Sequence, residues 1–208
     1  MVFDCTAPAR NACSNLTGLH CGLTYEIWTG STREGQVAQT GCMTNTFYGF
    51  SAEWGLAQMN YLARKGVRPG SSNLVVRYIA DYNPVGPSHL GVYGWLTDPL
   101  VEFYVLDSWG SWRPPGTSIL GTVTTDGGTY DIFKTQRVDQ FSIIAGKSTF
   151  WQYWSVRQEK RTRGTITVAP HFEAWTELGL EMGNFYEVSL LVEAYDGSGT
   201  ADVQVSFE

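Results

Sequence analysis

Apolar and polar positions alternate along most of the chain, a period of two that puts residues i and i+2 on one face of an extended strand. It is clearest in FYGFSAEW, LVVRYIADY, LGVYGWL, LVEFYVLDSW, GTVTTDGGTYDIFKTQR, TFWQYWSVRQ, RGTITVA, YEVSLLVEAY and TADVQVSF. Between these segments stand NPVGPS, RPPGTS, TDGGTY and DGSGT, where Pro and Gly supply backbone angles that strands do not adopt. Short alternating segments at this spacing predict an all-β sandwich or barrel. The period changes once, in APHFEAWTELGL. There Phe172, Trp175 and Leu178 stand three apart and Ala174 and Leu178 four apart, which predicts a short helix over about 170–179 with an apolar stripe, stopped at Gly179.

Composition agrees. The 208 residues are 43% hydrophobic, 14% aromatic and only 16% charged, with 23 glycines, as suits strands and tight turns. That length predicts one domain, 1–208, with residues 1–22 as a cysteine-rich extension. Fourteen basic against 20 acidic side chains give a net charge of −6, and no Lys/Arg run could track a phosphate backbone, so nucleic acid is not an expected partner. No apolar run approaches the roughly 20 residues of a membrane helix, and MVFDCTAPAR lacks the basic-then-apolar order of a secretory signal. A monomer off the membrane is expected. Cys5, Cys13, Cys21 and Cys42 allow two disulfides in any of three connectivities. Their spacing matches no paired C-x₂-C pattern and His20 is the one histidine nearby, so a disulfide framework is expected in preference to a metal site. Disulfides favour a protein that works outside the cell.

Two carboxylates interrupt apolar strands. In DPLVEFYVLDSWG, Glu102 shares a face with Leu100, Tyr104 and Leu106; in EVSLLVEAY, Glu193 shares one with Leu191 and Tyr195. A carboxylate withdrawn from water needs partners or a shifted pKa. Two of them facing each other are what glycoside hydrolysis uses: one ionised to attack the anomeric carbon, one protonated to release the leaving oxygen, about 5 to 5.5 Å apart in retaining enzymes.

The segments VYGWLTDPLVEFYVLDSWGSWRPPG, GTVTTDGGTYDIFKTQR, QYWSVRQEKRTRGTI, HFEAWTELGL and VEAYDGSGTADVQVS, in this order, resemble the glycoside hydrolase family 11 endo-β-1,4-xylanases from about Trp28 to the C-terminus. The resemblance implies a β-jelly roll of two curved antiparallel sheets with one short helix, and a cleft that takes the xylan chain. It implies hydrolysis with retention and no cofactor, with Glu102 as nucleophile and Glu193 as general acid/base. It further implies substrate-side roles for Tyr93 and Tyr104 beside the nucleophile, Arg137 and Gln152 in the cleft wall, Trp28 stacked on a sugar ring, and Asn60 beside the acid/base. RVDQFSIIAGK matches the mobile loop over the cleft, with Phe141 and Ser142 at its tip. A β-1,4-glucanase on a similar jelly roll and a non-catalytic carbohydrate-binding module are the competing readings.

The chain departs from the family pattern in places. Phe141 replaces a proline at the loop tip, and His89 stands where a cleft tyrosine is common, so a weaker outer sugar-stacking subsite is expected, an exposed histidine without a role being the competing reading. Ala194 replaces a glycine after the acid/base. Tyr186 lies seven residues before Glu193, where strand parity turns it away from the cleft unless a bulge intervenes, so it is left out of the expected site.

Overall fold

The computed structural model of the chain describes residues 7–30, 41–55 and 60–208. In chain order its elements are β1 (Arg10–Ala12), β2 (Leu16–His20), β3 (Leu23–Thr29), β4 (Gly41–Asn45), β5 (Gly49–Trp54), β6 (Tyr61–Val67), β7 (Val75–Val85) and β8 (Ser88–Thr97). There follow β9 (Val101–Trp109), β10 (Gly121–Thr125), β11 (Gly128–Phe141), β12 (Lys147–Arg157), β13 (Arg163–Thr167), the helix α1 (Val168–Glu177), β14 (Asn184–Ala194) and β15 (Ser198–Phe207).

The strands form two sheets, one of six in the order β1-β4-β5-β15-β7-β13 and one of nine in the order β10-β11-β12-β9-β8-β14-β6-β3-β2. This is the expected all-β jelly roll. Among the described residues β12 and β9 pair in parallel and the other pairings are antiparallel. The GTVTTDGGTYDIFKTQR segment is a hairpin of β10 and β11, turned by Asp126 and Gly127, both at positive φ, as an Asp-Gly pair between strands leads one to expect. Residues 10–12 and 16–20 add an edge strand to each sheet, so this part of the cysteine-rich segment is woven into the fold. The helix begins and ends about two residues earlier than its periodicity predicts. Phe172 and Trp175 are core residues, Trp175 donating its indole N–H to Ser155 Oγ at 3.1 Å, whereas Leu178 lies past the helix end and is exposed. Leu180 takes the buried place instead, after Gly179 has turned the chain at φ +75°.

Parity along β9 and β14 assigns side chains to two layers. Val101, Phe103 and Val105 join Leu190 and Val192 in the main core between the sheets, where Phe50, Val76 and Tyr78 meet them from the six-stranded sheet. The alternate positions, Tyr104, Leu106 and Leu191, belong to a second apolar cluster on the other face of the nine-stranded sheet, with Tyr93, Trp95, Phe150 and Trp154. The same parity sends Asp107 into the core, where it is fully buried and accepts from Tyr130 Oη (2.6 Å), Tyr78 Oη (2.7 Å) and Arg161 Nε (2.7 Å). A buried charge is tolerated only with such a complete set of partners.

Cys13 and Cys42 form a disulfide with a sequence separation of 29, tying the chain just after β1 to β4 beside it. Cys21 is also disulfide-bonded, and Cys5 lies outside the described residues. Chain-entropy arguments value a closed loop of this size at roughly 3–4 kcal/mol. Replacing Cys13 and Cys42 together by Ser is therefore expected to lower the denaturant midpoint and to raise the m-value, because the unfolded chain loses its cross-link and exposes more surface, measured by urea unfolding followed by tryptophan fluorescence.

Candidate active site

The second apolar cluster floors a cleft of about 1370 Å³ across the free face of the nine-stranded sheet. Both awkward glutamates open into it, Glu102 only 9% exposed and Glu193 3%. They reach it from strands on either side of β8: Glu102 stands across from Trp95, and Glu193 across from His89. Between those two β8 positions lies Gly91, where a Cβ would fall 2.2 Å from the Val105 carbonyl, so the strands approach too closely there for any side chain.

Glu102 is held from both sides. The parallel pairing puts Gln152 beside it, and Gln152 Nε2 donates to Glu102 Oε2 at 2.6 Å. Thr135 Oγ1 donates to the Gln152 carbonyl at 2.9 Å and so fixes which way the amide points. Tyr93 and Tyr104 donate their hydroxyls to Oε1 at 3.0 and 3.1 Å, and Trp95 Nε1 donates to the Tyr93 hydroxyl at 2.6 Å, leaving that proton free to point at the carboxylate. Tyr104 is clamped by Trp154, whose ring lies parallel to it at 4.0 Å. Burial and then the charge of Glu102 push both tyrosines well above their ordinary pKa, so they remain donors.

Glu193 has a sparser surround. Asn60 Nδ2 donates to its Oε1 at 3.2 Å, and His89 Nδ1 lies 3.6 Å from Oε2. Tyr195 also faces it, and burial followed by the Glu193 charge holds that phenol well above its ordinary pKa. The two carboxylates sense each other. Burial first, and the Glu193 charge second, push Glu102 up to about 7, while the hydrogen bonds from Gln152, Tyr93 and Tyr104 pull it back. The pair thus retains its last proton to about neutral pH.

The remaining expected residues line the same cleft: Trp28 on β3, Arg137 and Phe141 on β11, and Ser142 in the loop that follows. Phe141 is 61% exposed and projects at the rim, and Ser142 Oγ bonds Ser148 Oγ at 2.9 Å across the base of its loop.

Two readings need correction. Tyr186 lies in the cleft, because β14 carries a bulge between Phe185 and Glu187 that turns Tyr186 and Glu187 to the same side. Arg68 then stacks over the Tyr186 ring at 4.2 Å while bonding Glu187 at 3.0 Å, and Arg64 joins Glu187 and Glu26 in the same network. His89 is 1% exposed, packed beside Glu193 under surrounding aromatic rings, which rules out the competing reading of an exposed histidine. Sequence reasoning also missed Phe150 and Trp154, which share the parity of Gln152 along β12 and were open to the same test, and Trp112, whose loop gives no period to read.

A β-sandwich with an open, aromatic-floored cleft and two mutually repelling buried glutamates has the site of a carboxylate-pair glycosidase. Comparison with known proteins narrows this. The chain belongs to glycosyl hydrolases family 11, whose profile matches residues 20–204. It is 48% identical over 196 residues to endo-1,4-beta-xylanase A of Thermoclostridium stercorarium, covering 91% of this chain but 29% of that protein. It is 44% identical over 207 residues to endo-1,4-beta-xylanase A of Bacillus pumilus, covering 96% of this chain and 87% of that one. The solved family 11 xylanase of Neocallimastix patriciarum superposes with a TM-score of 0.86 at 35% identity, over 97% of this chain and 99% of that chain.

Asn60 gives Glu193 an N–H at any pH, whereas an aspartate would donate there only while it kept its own proton. Asn60→Asp is therefore expected to move the pH–rate profile toward acid, measured as kcat/KM against pH; an unmoved profile would remove Asn60 from the site.

Proposed function

We propose that the chain is an endo-β-1,4-xylanase that hydrolyses internal linkages of xylan with retention of configuration. The Glu102 carboxylate attacks the anomeric carbon while Glu193 passes its proton to the departing glycosidic oxygen, so the C–O bond breaks as an ester to Glu102 forms. Water then attacks the same carbon, Glu193 takes the water proton, and the ester bond to Glu102 breaks. Trp28, Tyr93, Arg137, Phe141 and Ser142 bind the chain of sugars, apolar sugar faces lying on the aromatic rings.

The observation that carries this reading is the unequal support of the two glutamates. Glu102 accepts three hydrogen bonds, which favour its ionised form; Glu193 accepts one from Asn60 and interacts with the Tyr195 hydroxyl. In this reading Glu102 attacks in the form its three donors favour, and Glu193 is the group that transfers the proton.

The chain acts as a single, monomeric catalytic domain outside the cell, where its substrate is found and its disulfides persist. Release of reducing ends from xylan, with little from carboxymethyl cellulose, is the expected result. Equal release from both supports the glucanase reading, and binding of xylan without release supports a binding module.

A further inference from the structure

The buried contact between His89 and Glu193 is not used by the mechanism above. His89 Nδ1 and Glu193 Oε2 lie 3.6 Å apart, about half an ångström beyond hydrogen-bond distance. Both His89 ring nitrogens and Glu193 Oε2 are buried without a hydrogen-bond partner among the described residues. Groups left in this way carry a desolvation cost that a mutual hydrogen bond would remove. The imidazole has little freedom to turn elsewhere. Tyr195 (5.3 Å), Trp112 and Trp154 (6.0 Å each) and Tyr104 (6.4 Å) pack around it, measured between ring centres.

We infer that His89 is a positioning residue for Glu193, its Nδ1–H held on Oε2 so that the carboxyl stays aimed at the leaving oxygen and its ionised form is stabilised as the proton departs. The inference rests on the reading of Glu193 as the acid/base. Asn60 holds Oε1 from the β6 side and His89 holds Oε2 from β8, and each oxygen keeps a further lone pair for the transferred proton. The other titratable groups facing this contact are Tyr104 from β9, bonded to Glu102, and Tyr195 beyond β14, which hydrogen-bonds Glu193 and feels the charges of Glu193, Glu102 and Arg137. The imidazole Nδ1 is the ring nitrogen that faces Oε2 from β8.

The test compares His89→Phe, which removes the donor, with His89→Asn, whose amide nitrogen falls where Nδ1 does. Losing a donor to an ionised carboxyl raises its pKa, so in His89→Phe the alkaline limb of kcat/KM is expected to move up by about one pH unit while kcat falls by about tenfold. His89→Asn should return the limb to its original place. A limb unmoved in His89→Phe would overturn the inference. Nitrogen-15 NMR of the unaltered protein needs no variant: Nδ1 should carry the proton at the working pH, and a ring protonated on Nε2 alone would equally overturn it. Wild-type protein that released no sugar from xylan would instead sink the assigned function, while the tautomer measurement would still decide the contact.

Discussion

Glu102→Gln is expected to lower kcat on xylan by about 10⁴-fold or more, because the amide cannot attack the anomeric carbon and no other carboxylate shares its donors. Glu193→Gln should cost less, roughly 10² to 10⁴-fold, because it removes proton transfer and leaves the nucleophile in place. The loss in Glu193→Gln should shrink on aryl glycosides whose leaving group departs without a proton. The Glu102 change has a second, opposite effect on stability. Its carboxyl titrates at about 7 in the fold against an ordinary value of 4.5, so the folded state binds the proton more tightly than the unfolded one. The stability this contributes is present at acid pH and is lost as pH rises through about 7. Glu102→Gln, with no charge to bury, should therefore melt higher than the parent at pH 8 while showing almost no activity. Initial rates with a thermal melt at each pH check both halves, and a variant equally destabilised at every pH would contradict the charge-burial account.

Asp107→Ala is expected to show the reverse pattern. Asp107 shares β9 with Glu102 but has the other parity, so it faces the core, where Tyr78, Tyr130 and Arg161 close on it. Its removal leaves Arg161 facing a pocket built for a negative charge, and breaking such a buried pair typically costs about 3–5 kcal/mol. In a protein of this size that is a fall in Tm of roughly 10 °C. At temperatures where the variant remains folded, kcat should lie within a fewfold of the parent. Glu102 and Asp107 thus separate a charge kept for chemistry from one kept for packing.

Much of this division was legible in the sequence. The period of two assigned Val101, Phe103 and Val105 to one layer and Glu102, Tyr104 and Leu106 to the other, and the coordinates agree residue by residue. It worked because β9 and β14 are central strands, buried on both faces, where a single polar position stands out. It failed where charge is buried in pairs. β6 reads YLARKGV, and its Arg64 and Lys65 disguise a central strand. Arg64 is neutralised by Glu26 and Glu187, while Lys65 donates to Asn45 Oδ1 and the Thr46 carbonyl, its pKa lowered by burial to about 8. Those partners are remote in sequence, and no local pattern announces them. Tyr186 was lost to a one-residue bulge that parity cannot foresee, and the burial of His89 against Glu193 depends on packing between strands that no local pattern shows.

The division of labour between the two glutamates is tested most directly by trapping. A xylobioside bearing 2-fluorine and a good leaving group slows the hydrolysis of the ester intermediate, so it accumulates on whichever carboxylate attacks. Proteolysis and mass spectrometry should find one sugar adduct on the peptide that carries Glu102 and none on the peptide that carries Glu193. An adduct on Glu193, or turnover of the probe with inverted configuration, would contradict the account.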